Sequence, residues 1–179
     1  PGYGGSCFPK DTLALSEMGK EHGANQTIVE TVIKANEQVK QRMVKKIFRV
    51  LGNSTENKII SFLGVTFKPN TDDMRDAPSL FILPQLQTET TEIRVVDPKG
   101  FNEGKKLLKD INWFDCPYEA SSGAHLIVIL TEWNQFRALD LERLSRAMRT
   151  PKIVDLRNIY SKEKAIQSGF EVYECIGKI

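Results

Sequence analysis

The amino-acid sequence predicts an α/β protein: a doubly wound parallel sheet preceded by one long helix. Short apolar runs recur from residue 58 onward, at Lys58-Ile59-Ile60-Ser61-Phe62-Leu63, Ile93-Arg94-Val95-Val96, Leu126-Ile127-Val128-Ile129-Leu130, Lys152-Ile153-Val154 and Phe170-Glu171-Val172-Tyr173. Segments with helical periodicity lie between them, near 78–88, 104–108, 141–148 and 162–168. Such alternation calls for parallel strands covered by helices. Ahead of them all, residues 27–51 form an uninterrupted amphipathic stretch, with Ile28, Val29, Val32, Ile33, Val39, Met43, Val44, Ile47, Phe48 and Leu51 at helical spacing.

Three parts follow from this pattern: 1–24, 25–57 and 58–179. The first opens Pro1-Gly2-Tyr3-Gly4-Gly5-Ser6-Cys7-Phe8-Pro9-Lys10-Asp11, a glycine-rich loop leading into a short helix that ends near Gly23. Asp11 is placed to cap the run Thr12-Leu13-Ala14-Leu15-Ser16-Glu17-Met18. Cys7 reads in two ways. It is a small buried hydrophobe, as most cysteines are, or a reachable thiol on a turn whose glycines let backbone approach a ligand, with Lys10 as a nearby positive charge and Asp11 as a base for water.

In the second part Thr27-x-x-Glu30 predicts a capping box, and Gly52-Asn53 predicts the stop. A helix of that length spans roughly 35 Å, more than a small domain covers. Part of its apolar stripe is therefore expected to meet a second copy or a preceding region. Lys34, Lys40, Arg42, Lys45, Lys46 and Arg49 form a basic face that reads as solvated surface. In the third part Pro84 interrupts a helical segment and predicts a kink or an early break.

Composition narrows the functions. The 179 residues, 40% hydrophobic and 27% charged, suffice for one good core. A net charge of +2 argues against a nucleic-acid binder. Cys7, Cys116 and Cys175 are far apart, and with only His22 and His125 they leave little basis for a metal site. The cysteine usage reads as that of a reducing, cytoplasmic protein, and no apolar run reaches the length of a membrane span.

In a doubly wound sheet, ligands bind beyond the carboxyl ends of the strands. After the first strand comes Gly64-Val65-Thr66-Phe67-Lys68-Pro69-Asn70-Thr71-Asp72-Asp73-Met74-Arg75-Asp76, a long polar loop and not the G-x-G-x-x-G turn of a dinucleotide site. Lys68 and Arg75 suit phosphates; equally, Asp72, Asp73, Arg75 and Asp76 suit a local ion-pair network. Asp97-Pro98 reads as a turn, and Trp133 as packing. Arg157, in Asp155-Leu156-Arg157-Asn158, is a second anion reader by virtue of its rigid fork, or else the partner of Asp155 or of a loop carboxylate.

Taken together, these segments resemble the nucleotide-sugar dehydrogenases, the UDP-glucose/GDP-mannose dehydrogenase family. The opening Gly2–Asp11 stretch resembles that family's catalytic-cysteine motif, and Phe62-Leu63-Gly64-Val65-Thr66-Phe67-Lys68-Pro69-Asn70-Thr71-Asp72-Asp73-Met74-Arg75 its second signature. Tyr118-Glu119-Ala120, Leu130-Thr131-Glu132-Trp133 and Arg157-Asn158-Ile159-Tyr160 extend the likeness over essentially the whole chain. The resemblance implies a Rossmann-like domain that binds a UDP-sugar at 58–179, a central helix that forms a homodimer at 25–57, and an NAD-binding domain before Pro1. It further implies Cys7 as nucleophile and Asp11 as helper of the hydrolytic water. Tyr3, Gly4, Phe67, Lys68 and Arg157 would contact UDP-glucose or a related sugar nucleotide, with Lys10 and Arg75 near NAD. Phe8 after the cysteine favours the UDP-glucose branch over the GDP-mannose one. A chain lacking the upstream catalytic residues is expected not to turn over alone, so a non-catalytic binding and dimerisation module is the competing description. Leu156 stands where relatives carry glycine, which puts the aim of Arg157 in question.

Overall fold

The computed structural model describes residues 1–177. Six parallel strands form one sheet: β1 (Ile59–Leu63), β2 (Glu92–Val96), β3 (Ile111–Trp113), β4 (Leu126–Ile129), β5 (Lys152–Asp155) and β6 (Val172–Cys175), in the spatial order β3-β2-β1-β4-β5-β6. Register aligns Leu63 with Val96 and Ile129, and Ile129 with Asp155, so the loops after four strands emerge side by side. Strand order reverses between β1 and β4, as the predicted doubly wound architecture requires.

The helices are α1 (Phe8–Glu21), α2 (Thr27–Val50), α3 (Pro78–Leu86), α4 (Phe101–Leu107), α5 (Pro117–Ser121), α6 (Asn134–Arg137), α7 (Leu141–Ala147) and α8 (Lys162–Gln167). The apolar runs are continuous because both sheet faces are covered. In β4, Leu126 and Val128 face one core with Met43, Ile47 and Val50 of α2 and Ile82, Leu83 and Leu86 of α3. Ile127 and Ile129 face the other, with Trp133, Phe136, Leu144 and Phe170.

Several local expectations differ from the structure. β3 is a sixth strand that the apolar runs did not reveal, because Ile111-Asn112-Trp113 is only three residues long and sits at an edge. The last strand lies two residues further on than its apolar run, at Val172–Cys175, and is the other edge. The short α5 and α6 carry too few residues to show a period. α3 runs two residues beyond Pro84 and ends at Leu86, short of the predicted 88. The predicted capping box does not form: Thr27 is the first helical residue, Gln26 makes no side-chain cap, and the Thr31 hydroxyl bonds back to the Thr27 carbonyl at 2.7 Å. Nor does Asp11 cap a helix, since α1 starts at Phe8 and Asp11 lies in its first turn. α2 stops where predicted, with Gly52 and Asn53 both at positive φ.

The basic face of α2 is only partly solvated. Lys46 and Arg49 reach Glu174 on β6 at 2.9 and 3.0 Å and pin the helix's carboxyl half to the sheet edge. Lys40 pairs with Glu37 and lies over the Phe81 ring of α3.

His125, buried just before β4, accepts the Ile59 amide on Nδ1 at 3.0 Å. That bond requires the neutral ring, and burial followed by the nearby Lys58, Arg149 and Lys152 lowers its pKa. The native state then binds fewer protons than the unfolded chain below about pH 6.5, the ordinary imidazole value. Its contribution to stability is therefore complete above that pH and is lost as pH falls through the lower native value. Urea midpoints across this window should fall for the native sequence and fall less for His125→Asn; parallel profiles would exclude the assignment.

Candidate functional site: a crevice where the cysteine loop meets the sheet

The point where strand order reverses is filled by the protein itself. Gly64, at φ +85°, brings its backbone so close to β4's exit that a Cβ there would lie 2.4 Å from Thr131 Cβ. Thr131 Oγ1 donates to the Thr66 carbonyl at 2.6 Å across the same gap. Asp97, at the end of β2, is not a simple turn residue. It is buried and accepts from the Val65 and Thr66 amides at 2.7 and 3.1 Å, the Thr66 hydroxyl at 3.1 Å, the Trp133 indole at 3.4 Å, and the Lys99 and Gly100 amides at 3.0 and 2.7 Å. A dinucleotide site of this architecture needs a glycine turn at the pyrophosphate and a free carboxylate for the ribose. The residues present do not fit NAD at this turn. Trp133 is buried packing, as its sequence context predicted.

The candidate site lies one strand over, at the loops that follow β4 and β5. Arg157 leaves β5 with its amide on Asp155 Oδ1 at 3.0 Å. Its Nε donates to the Leu130 carbonyl at 2.8 Å, and its Nη2 to the Phe67 carbonyl at 3.0 Å. Glu132 Oε2 lies 3.0 Å from Nε, so a loop carboxylate balances the guanidinium. That oxygen is buried and makes no hydrogen bond, because Nε points at Leu130; the pair is held by charge. Burial lowers the Arg157 pKa and Glu132 opposes the shift, but a guanidinium stays charged. Leu156 is buried in the core without a positive φ, so no glycine is required to aim Arg157.

The amino-terminal loop docks onto the loop after β1, whose Phe67 carbonyl accepts from Arg157. Gly5 donates its amide to the Arg75 carbonyl at 2.8 Å, and a Cβ on it would sit 2.8 Å from the Phe67 ring. A Cβ on Gly4 would sit 2.3 Å from the Asp76 carbonyl oxygen. These glycines thus let the loop approach its own protein wall, which is a different use from the ligand approach expected of them. Phe67 stands between Gly5 and Arg157 and joins the cysteine loop to the crevice.

Cys7 is exposed, at the N-cap of α1, with Sγ 3.6 Å from Ser6 Oγ. Arg75 is close enough for its charge to interact with the thiol. Asp11 lies one turn further along α1, the spacing that shares a helix face, and its amide donates to the Cys7 carbonyl at 2.9 Å. Lys10 pairs with Asp11 at 3.4 Å, both exposed. Tyr3 packs edge-on against Phe8, the residue after the cysteine, with ring centroids 4.6 Å apart. Lys68 is exposed, 5.2 Å above the Phe67 ring, and pairs with no carboxylate among the described residues.

Of the local network expected in the acidic loop, the Arg75–Asp73 pair forms. Arg75 forks onto Asp73 at 2.9 and 2.8 Å and holds that carboxyl below its usual range, while its guanidinium stays at the exposed rim. Two residues of the site, Glu132 and Asn36, were given no role from the sequence, and Asp97 was read only as a turn. Asn36 had a visible signal, a polar residue within the apolar stripe of α2. It is buried and bonds the backbone of Tyr3.

The model of the UDP-glucose/GDP-mannose dehydrogenase family's UDP binding domain matches residues 61–162, more than half of the chain. The chain belongs to this family. The family's central-domain model matches residues 1–38. A UDP-glucose 6-dehydrogenase of Rhizobium meliloti (strain 1021) is 45% identical over 178 residues, covering 99% of this chain and 40% of the relative. Among solved structures, a UDP-glucose dehydrogenase from the hyperthermophilic archaeon Pyrobaculum islandicum superposes with a TM-score of 0.80 at 29% identity, over 97% of this chain and 37% of that one. A UDP-D-ManNAc dehydrogenase from Pyrococcus horikoshii superposes with 0.81 at 27%, over 98% and 39%. The chain thus spans about 40% of the length of the family members it matches. Two neighbours named for different sugars fit equally well, so the fold does not select the sugar. No described helix is long and apolar enough to cross a membrane.

Proposed function

We propose that this chain is the nucleophile-bearing and UDP-sugar-binding part of a UDP-glucose 6-dehydrogenase. The observation that supports the reading best is the docking of the Cys7 loop, through Gly5 and Phe67, beside the crevice where Arg157 and Lys68 offer positive charge. Arg157 and Lys68 bind the diphosphate of the sugar nucleotide, with Phe67, Tyr3 and Gly4 lining the sugar's path. Cys7 sulfur adds to the carbon of an aldehyde at the sugar's C6 to give a thiohemiacetal; loss of that carbon's hydride to NAD, with the hydroxyl proton going to solvent, would leave a thioester, from which the thiolate departs when water attacks. Asp11, one turn away, takes the proton of the water that hydrolyses the resulting thioester. NAD, the oxidant the family resemblance implies, belongs in this reading to a region outside this chain, with Lys10 and Arg75 at the rim facing it.

A homodimer through the central helix is part of the proposal. Phe8, Leu13, Leu15 and Met18 on α1 and Ile28 and Val32 on α2 are exposed, Ile28 to 81%. One contiguous pair of helices thus carries a surplus of apolar surface of the kind that marks an interface.

The test compares calorimetric binding with turnover. The full-length protein should produce NADH with UDP-glucose, and the chain alone should bind UDP-glucose without turning it over. Lys68→Ala should weaken that binding about tenfold, the effect of losing one charged hydrogen bond. Turnover of GDP-mannose in preference would move the assignment to the other branch of the family. Binding without any turnover by the full-length protein would leave a non-catalytic module.

A further inference from the structure

We propose that Asn36 is the positioning residue of the cysteine loop, an inference that rests on the reading of Cys7 as nucleophile. Asn36 lies midway along α2, buried where its neighbours on the stripe are apolar. Its amide matches a peptide group: Oδ1 accepts the Tyr3 N–H at 2.8 Å and Nδ2 donates to the Tyr3 carbonyl at 3.3 Å. A buried amide with both ends engaged fixes orientation as well as distance.

The surroundings are shaped for this contact. Gly2, at φ +113°, passes so close that a Cβ would lie 2.8 Å from Asn36 Oδ1. On the far side of the loop, Gly5 is held by the Arg75 carbonyl at 2.8 Å. The five-residue span from Tyr3 to Cys7 is therefore clamped by the helix at one point and by the post-β1 loop at another. Tyr3 passes the constraint on, because its ring packs against Phe8, the residue after the thiol. In α1 and the first half of α2, the other residues buried to this degree are only Ser16 and Gly19, so Asn36 is the main polar tie between the long helix and the loop. It does not touch the reacting atoms; it sets where Cys7 stands.

Amide hydrogen exchange in the full-length protein tests this directly. In Asn36→Ala, the Tyr3 and Gly5 amides should exchange at least about tenfold faster, while Phe62 and Val128 in the sheet keep their rates. Asn36→Asp retains the acceptor and should return protection to the Tyr3 amide. Gly2→Ala presses on Asn36 from the loop side and should reproduce the alanine pattern with α2 untouched. In turnover assays, kcat of Asn36→Ala should fall about ten- to a hundredfold, the cost of a small misplacement of a reacting group, with KM for the sugar nucleotide within about threefold. Unchanged exchange at Tyr3 and Gly5, or uniform acceleration through the sheet, would overturn the proposal. If the unsubstituted full-length protein shows no turnover, the functional reading fails while the exchange result still decides the clamp.

Discussion

Cys7→Ser in the full-length protein is expected to reduce formation of the sugar acid by about a thousandfold or more, the usual scale for losing a covalent nucleophile. Binding of UDP-glucose should stay within about twofold, because the groups proposed to hold the diphosphate, Lys68 and Arg157, are on other loops. Stability should move by no more than about 0.5 kcal/mol, since Cys7 is exposed and its Sγ meets Ser6 Oγ only at a long 3.6 Å. Product analysis, calorimetry and urea unfolding check the three parts separately. A variant that still makes acid at a comparable rate would remove Cys7 from the chemistry, and one that loses binding to the same extent would give it a structural role.

Asp97→Ala should cost about 3–5 kcal/mol of unfolding free energy, among the largest effects of any single substitution in the chain. The carboxylate serves amides on both the post-β1 turn and the post-β2 turn, together with the Trp133 indole. Removing it leaves several buried donors unpaired at once, at about 1–3 kcal/mol for each that water cannot reach. Asp97→Asn should cost less, because one carbonyl oxygen remains to accept. Urea unfolding measures both, and a loss below about 1 kcal/mol for the alanine variant would show that the turns hold their shape without it. The same variant should weaken sugar-nucleotide binding, because Phe67 and Lys68 follow directly on the Val65-Thr66 amides that Asp97 anchors.

The sheet was legible in the sequence because each interior strand is apolar on both faces, a pattern that survives without knowledge of partners. β3 was not, since three half-exposed residues at an edge carry no period. The predicted caps at Asp11 and Thr27 failed for a common reason. Both motifs name residue types that favour a cap, yet in each case the intended cap is already helical: α1 begins at Phe8, three residues before Asp11, and α2 begins at Thr27 itself. Arg157 was legible as a charged residue at a strand's exit, with a loop carboxylate among its expected partners. Its partner Glu132 was not, because pairing a residue after β4 with one after β5 requires the register. Asn36 left the clearest unread mark, a lone amide on an apolar stripe. The glycines of the opening motif were read as freedom to meet a ligand. Only the fold shows that Asp76 and Phe67 are what they meet.

The clamp at Asn36 has a counterpart in how lightly the rest of that hairpin is held. α1 buries only Ser16 and Gly19, and the first half of α2 buries only Asn36, while the large apolar contacts begin at Met43. Cys7 therefore rides on a segment with few buried residues, whereas the sheet has a core of its own. On the proposed reading of Cys7, loss of activity and loss of the fold become separable events. Whatever covers the exposed apolar side of α1 and α2 controls the first event independently of the second.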